Sequence, residues 1–589
     1  MCDARRAVRA PRALFLTCAI AAVVTGAVLA GVRFWTCDDA FISFRYADNL
    51  VRGHGLVFNL GERVEGFTNL AWTLWAALGL RLGLAAETWA GVWGIACFAA
   101  TLALLAHRGW AIAQAAAGSG AAPGARAGLR AAGAVWPLPA AALLGAIHRD
   151  WTVFATSGLE TSAFTLLAFA GYLLVCPVGR PGEPGDSTGD RGGARATPRR
   201  LAAAGLVLAL ASLTRPDGVV FGAVCGVWVL AGRDLRGALA LAGGFAALWL
   251  PVTIWRIAYY GDLFPNTYYA KSASVAWWSQ GAFYARIYFA RYWPLVLAVP
   301  CALVRAVRPR RAAALELALA AAYALYVMRV GGDFMFGRLL IPITPFLLLL
   351  VERGLGALLG RRPVIAAAAI AGLGIALVVA PPAVAGGHTR RGIADENYVY
   401  TVAFPHWAER ADTNGAVLAR LFDGLPIAVG FFGLQARLVY RSRVATAIEC
   451  ETGLTDAAIA HQELPVRGRI GHEKHAKLSY LVERRVDFLL TRDWGNELLR
   501  LDDQLPDAPI DLGRIGGRVI TWDPEIMAAL AARGVHVPDV PAQIDAYIAG
   551  MAGRSDADVR RDFERFRRLY FDRTPDPARE LPFRARLGP

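Results

Sequence analysis

The feature that most limits what this chain can become is a series of apolar blocks, most of them about 15–22 residues long, the length that crosses a bilayer core. They lie near 13–32, 88–107, 133–148, 160–176, 201–214, 218–232, 237–256, 287–304, 312–329, 338–352 and 363–385. Of the 589 residues, 56% are hydrophobic and only 19% are charged, where a soluble globular protein carries about a quarter charged. The chain therefore reads as a polytopic α-helical membrane protein. Its first block follows Arg5, Arg6, Arg9 and Arg12. "AVLAG" would serve as a signal-peptide cleavage site, but the topology needs this block, so it is expected to be a retained first helix.

Two kinds of loop alternate between the blocks. One kind is basic: Arg108 to Arg130, Arg180 to Arg200 in a Gly/Pro-rich stretch, Arg233 with Arg236, Arg305 to Arg311, and Arg353 to Arg362. Such loops stay in the cytoplasm. The other kind is "CDDAFISFRYADN", "RDWTVFATSGLETS", "TRPDG", "YYGDLFPNTYYAKS" and "GGDFMFGR", rich in acids, Asn, Tyr and Pro. The alternation holds if 68–84 forms a juxtamembrane or re-entrant helix covered by protein. That predicts about eleven spans, an N-terminus in the cytoplasm and a C-terminal domain outside the inner (plasma) membrane. The same arginines explain the net charge of +15. No basic, aromatic-interleaved segment argues for nucleic acid. Mid-span ionisable groups are almost absent, Glu316 being the nearest to one, whereas an ion-coupled transporter places them at the midplane.

After Pro381 the composition changes, and 386–589 holds most of the charged residues. "LPIAVGFFG" reads as a strand ending in a turn, "YLVERRVDFLL" as a helix running into a strand, and "DADVRRDFERFRRLYF" as an amphipathic helix. The division expected is a membrane domain over 1–385 and an extracytoplasmic α/β domain over 386–589. The eight cysteines form no CxxC pair, so neither a zinc site nor a disulfide framework is signalled. Only Cys37 and Cys450 stand clear on the outer side, where a bridge between them would persist. Two unrelated thiols are the plainer reading.

Each polar loop has a bland and a functional reading. Asp38 and Asp39 open "AFISFRYADNLVRG", which patterns as an amphipathic interfacial helix with Arg45 on its polar face. A cap and a first-turn acid account for one carboxylate better than for two. Glu65 stands in "GERVEGFTN" and Glu160 in "TSGLETS"; solvation or capping would explain either. Arg215 and Asp217 form the "TRPDG" turn, and an Arg at the membrane edge also suits a lipid phosphate. Asn266 and Lys271 lie among tyrosines that are ordinary belt residues. Asp333 and Arg338 flank "GGDFMFGR". His472 and Glu473 in "GRIGHEKHAK" make H-E-x-H, so a zinc-protease reading fails on spacing. Together the loops describe a substrate with a phosphate at the headgroups, a lipid tail among helices and a sugar outside. Acids would take a hydroxyl proton or hold a divalent metal, and Arg and Lys would stabilise the departing phosphate.

"DDAFISFRYADNLVRGHGLVFNLGERVEGFTN", "TSGLET", "LTRPDG", "GDLFPNTYYAK", "GGDFMFGRLLIP", "GLTD" and "GRIGHEK" resemble the GT-C superfamily of polyprenyl-phosphate-dependent membrane glycosyltransferases. Within it the likeness is to the mycobacterial terminal β-(1→2)-arabinofuranosyltransferase family. The resemblance implies a polyprenyl-phosphoryl-sugar donor, a glycan or glycolipid acceptor and catalytic acids at Asp38 and Asp39. It requires no cofactor beyond a divalent cation, whose place, if there is one, is the same aspartate pair. A lipid A or protein glycosyltransferase of that superfamily stays open, as does a non-catalytic envelope assembly or transport protein.

Overall fold

A computed structural model describes residues 2–118, 138–178, 196–304, 307, 310–360, 362–384, 386, 388–433, 435–464, 466–490 and 508–588. Most of the basic stretch 180–200, Arg130 and Arg305 lie outside them. The chain divides into two compact units. The first comprises 1–40, 68–261 and 275–403, the second 41–67, 262–274 and 404–589. Two loops that the sequence groups with the membrane part, "FISFRYADNLVRGHGLVFNLGERVEGF" and "DLFPNTYYAKSAS", thus pack with the C-terminal unit.

The first unit is helical. Among the described residues five helices are long and apolar enough to cross a membrane: Arg12–Val32, Ala86–Gln114, Leu235–Tyr260, Arg310–Arg329 and Arg338–Leu359. Thr161–Val175, Gly218–Ala231, Trp293–Leu303 and Pro363–Val379 are shorter apolar helices. This is a multi-pass membrane protein. Burial ranks the helices: 89% of the apolar window of Arg338–Leu359 is inside the protein, against 17% for Leu235–Tyr260. The former is the core of the bundle and the latter its rim. Close approach comes from small residues. A Cβ on Gly205 would stand 2.1 Å from the Leu241 carbonyl oxygen, so Pro198–Thr214 and Leu235–Tyr260 cross nearly backbone to backbone.

One expected element differs, and the stretch 68–84 has the form the loop alternation needs. The block at 287–304 is not one helix: Trp278–Arg291 ends at Tyr292, Trp293–Leu297 is a 3-10 turn holding Pro294, and Ala298–Leu303 follows. Proline removes a ladder donor and clashes with the preceding turn. The stretch 68–84 forms the helix Leu70–Arg81, whose 12 residues span about 18 Å, too little to cross.

In the second unit a five-stranded sheet runs β2-β1-β3-β5-β4. The strands are β1 Ala428–Phe431, β2 Thr446–Glu449, β3 Phe488–Leu490, β4 Pro509–Asp511 and β5 Gly516–Val519. β1 pairs in parallel with β2 and β3, and β5 pairs antiparallel with β3 and β4. The connection from β1 to β2 passes through the helix Ala436–Ser442. Ile448, Ile459, Leu481, Val486 and Leu489 form a buried core around β2 and β3. The helix Ala40–Val51 departs from the interfacial reading, being buried almost all round. Its polar residues are internal struts, as Asn49 shows by donating to the Val57 and Phe58 carbonyls at 2.8 and 3.1 Å.

Candidate functional site

In the first unit the loops after and before the helices meet at one end. The Cys37 N–H donates to the Ser157 carbonyl at 2.9 Å, and the Trp35 and Trp72 indoles donate to the Val153 and Gly158 carbonyls. This joins the Asp38–Asp39 segment to "TSGLET". Glu160 stands at the N-cap position of Thr161–Val175 without capping it. Its carboxylate instead accepts from Arg215 Nη1 and Asn69 Nδ2, both at 2.9 Å. Arg215 forks onto Asp217 with Nε and Nη2 at 3.0 Å, and the Tyr323 hydroxyl donates to Asp217 Oδ2 at 2.5 Å. Burial would lower the Arg215 pKa; Asp217, Tyr323 and Glu160 together hold it well above the ordinary value, so its charge is permanent.

Arg338 Nε donates to Asp333 Oδ2 at 2.6 Å. Gly331, Gly332 and Gly337, at φ of 93°, 78° and 80°, let the loop double back between them, a conformation strained for any other residue. The charges around Arg338 are Asp333, Arg215, Glu160 and Asp39. Asp39, Glu160, Arg215, Asp217, Asp333 and Arg338 are thus one electrostatic cluster. Asp38 is 3% exposed and Asp39 half-buried. Burial, with Asp39 and Glu396 nearby, pushes the Cys37 thiol well up, so it is an inert thiol. Cys37 and Cys450 are both free and buried, and no bridge joins them.

The other candidates belong to the second unit. Asn266 N donates to the Glu65 carbonyl at 3.0 Å, and Asn266 Nδ2 to the Gly453 and Leu454 carbonyls at 2.8 Å. The "FPNT", "VEGF" and "GLTD" motifs therefore converge. Lys474 donates to the Tyr269 carbonyl at 2.9 Å and to that of Ala460, drawing "GRIGHEK" to the same place. Half-buried His472 and Lys271 are neighbours there, with Arg469 and Glu451. Burial and Arg469 push the His472 pKa down to about 4, so the ring is neutral near pH 7. Two expectations are corrected. Arg45 is 5% exposed and donates to the Phe58, Val439 and Val444 carbonyls at 2.8, 3.2 and 2.6 Å; it braces the fold. Glu473 Oε1 accepts from Arg467 Nε and Gly468 N at 2.8 Å, with no part of its side chain exposed, so it turns inward.

No protein-family model matches the chain. Over 361 residues, 55% of this chain and 52% of the relative, it is 34% identical to the terminal β-(1→2)-arabinofuranosyltransferase of Mycobacterium tuberculosis. Over 371 residues, 57% and 51%, it is 31% identical to the Corynebacterium glutamicum protein of the same name. The chain spans about half the length of these curated relatives. Among solved structures, apo ArnT from Cupriavidus metallidurans aligns over 86% of this chain and 97% of its own at a TM-score of 0.51 and 16% identity. The two share a fold.

Sequence reasoning passed over Asn69, Tyr323 and Glu451. Asn69 ends "GFTN", where it could have been read as a cap. Tyr323 sits in "AAYALY" with no local signal, because its partner Asp217 is 106 residues away. Glu451 gave one weak signal, as an acid directly after an apolar strand.

Proposed function

We propose that the chain is an integral membrane glycosyltransferase. It moves a sugar, arabinofuranose by the homologues' names, from a polyprenyl-phosphate donor to an extracytoplasmic glycan or glycolipid. The observation that carries this reading is the asymmetric use of two arginines. Arg215 is held by Glu160 and Asp217 on three of its nitrogen–oxygen contacts. Arg338 gives only Nε to Asp333, and among the described residues its two Nη groups make no hydrogen bond. That fork suits the oxygens of a phosphate.

In this mechanism the acceptor hydroxyl oxygen attacks the anomeric carbon while the bond from that carbon to the phosphate oxygen breaks. Polyprenyl phosphate leaves with the bonding pair, its charge met by Arg338 and Arg215. Asp39, the more accessible of the pair, takes the hydroxyl proton. Asp38, buried beside it, positions the loop. A divalent cation fits the pair, since a magnesium-type site needs one or two carboxylates completed by water and substrate phosphate. Among the described residues no three His, Cys, Asp or Glu side chains converge as a ligand set, so the protein alone forms no cage. Bound there, a cation would neutralise donor phosphate charge.

The sidedness that the arginines imply places this end at the outer face of the inner membrane, with about eleven spans and the C-terminal domain also outside. The test is purified full-length protein with a polyprenyl-phosphoryl arabinofuranose and an arabinofuranose acceptor. Product formation that Asp39→Asn removes is expected. Product formation equal in wild type and Asp39→Asn would withdraw the catalytic assignment, and none from wild type would withdraw the sugar.

A further inference from the structure

One surface of the first unit collects positive charge that the mechanism above leaves unused. The helix Trp278–Arg291 turns Tyr284 and Tyr288 inward, both fully buried. It presents Phe283 and Arg286, three residues apart, on another face. A two-residue turn packs there. Arg390 N donates to the Ile393 carbonyl at 2.9 Å and Ile393 N to that of Arg390 at 3.1 Å, while Gln280 Nε2 holds the Arg391 carbonyl at 2.8 Å. Three guanidinium carbons thereby close around the Phe283 ring, Arg391 at 4.5 Å, Arg286 at 5.2 Å and Arg390 at 5.8 Å from its centroid. All three arginines are exposed.

Two features of this cluster ask for a ligand. Its charge is uncompensated: among the described residues neither Arg286 nor Arg391 makes a side-chain hydrogen bond or ion pair, and Arg390 gives only Nη1, to the Ala383 carbonyl at 2.8 Å. Asp395, the acid nearest to the turn in the chain, is taken by Arg149 at 2.9 Å. A ring face attracts a cation, but three like charges gathered on one ring repel each other. The turn is also strained. Arg391 and Gly392 have φ of 51° and 75°, the turn that Asn-Gly favours, and an arginine kept in that conformation points to a use for its side chain.

Depth selects the ligand. Trp277 N, nine residues before Arg286, donates to the Arg329 carbonyl at the end of the span Arg310–Arg329. Arg291, five residues after Arg286, donates from Nη1 to the Leu377 carbonyl near the end of the apolar helix Pro363–Val379. At about 1.5 Å per residue, Arg286 stands about 13 Å from the first level and about 7 Å from the second. The headgroup layer is about 5–7 Å deep on each face of a bilayer, so the cluster lies at its level, with Trp278 exposed nearby as an interfacial aromatic. Guanidinium forks there suit phosphate oxygens. The loop carrying Arg338 is on the inward side, where the Tyr284 hydroxyl donates to the Met335 carbonyl and accepts from Leu339 N. We propose that Arg286, Arg390 and Arg391 form a headgroup site for an anionic phospholipid of the bilayer, separate from the donor phosphate. Such a site needs the membrane and not the transfer reaction.

The test is native mass spectrometry of the full-length protein in detergent, reading the first lipid bound from phosphatidylglycerol or from phosphatidylcholine of the same chains. Wild type is expected to bind phosphatidylglycerol about tenfold more tightly, the worth of a charged hydrogen bond. Arg286→Gln and Arg391→Asn, on separate elements, should each remove most of that preference, with phosphatidylcholine binding and the melting temperature in lipid-free detergent unchanged. Asn is favoured at that turn position, so Arg391→Asn leaves the turn intact. Equal binding of the two lipids by wild type overturns the site, as does a full preference in either variant that melts like wild type. Displacement of phosphatidylglycerol by polyprenyl phosphate at a lower concentration than phosphatidylglycerol itself requires also overturns it, because the cluster would then belong to the sugar carrier.

Discussion

Two ionic clusters of the first unit stand at opposite ends of the helix Thr161–Val175, and they are built on opposite plans. At the Glu316 end, Arg353 forks onto Glu316 at 2.8 and 2.9 Å, and Tyr172 bridges Glu316 to Arg108. Glu352 accepts from Ala141 N at 2.8 Å. Two arginines face two glutamates, and all four are at most 5% exposed. At the Glu160 end, Arg215 and Arg338 face Asp39, Glu160, Asp217 and Asp333, with Asp39 half-buried and the Arg338 fork unengaged. One cluster is closed and balanced. The other has surplus carboxylates and open donors. A balanced buried network fixes helices; an unbalanced, accessible one is where substrate, proton or cation completes the charge.

The largest expected effect separates the two ends. Asp39→Asn should lower transfer by about 10²–10⁴-fold, as loss of a general base does, while the melting temperature stays where it is. Arg353→Met should do the reverse. Breaking a buried pair by removing one partner costs about 3–5 kcal/mol, so yield and melting temperature fall while the folded fraction keeps its specific activity. Replacing both, with Arg353→Met and Glu316→Leu, should recover much of the loss because no unpaired charge remains buried. If Arg353→Met instead kills transfer in protein that melts normally, the Glu316 end is part of the machinery and the contrast collapses.

A smaller effect distinguishes the two arginines within the Glu160 end. Arg338→Gln should raise the donor KM by about tenfold or more, the range of a charged hydrogen bond, with acceptor KM unmoved. Arg215→Gln removes the partner of two buried carboxylates at once, so a lower melting temperature should accompany its loss of activity. Titration of donor and acceptor separately, with melting curves, reads the difference. Equal melting losses and unchanged donor KM in both variants would make Arg338 a brace like Arg215.

Legibility in the sequence follows the range of the cause. Span length and loop charge are local, so most apolar blocks reappear as helices within a few residues, Gly218–Ala231 and Arg310–Arg329 among them. Pro294 broke the block at 287–304 where a proline is visible but its consequence is not certain inside an apolar run. Arg45 misled because an amphipathic pattern tells which residues are polar, not whether they meet water or backbone carbonyls. The acids and arginines of the Glu160 end were legible as residue types. Their pairing was not, since Glu160 and Arg215 stand 55 residues apart and Asp217 and Tyr323 106 apart, and only the packing of helices brings them together.

The smallest effect lies in the second unit and tests whether His472 is neutral in the fold. Burial and Arg469 lower the His472 pKa from 6.5 to about 4, with Lys271 and Glu451 also facing the ring. Between those values the unfolded chain binds the proton and the folded one does not. Stability from this group is therefore complete above pH 6.5 and is lost as pH falls toward 4. By pH 5.5 the loss is about 1 kcal/mol. Total stability will not display it cleanly, because burial raises Glu449 to about 7 and Asp487 to about 6. Carboxyls raised in the fold act with the opposite sign, favouring the folded state as pH falls. The difference between wild type and His472→Asn isolates the ring. Hydrogen exchange over 466–476 should show wild type losing protection relative to the variant between pH 6.5 and 5, and parallel loss in both proteins would mean that His472 is already charged in the fold.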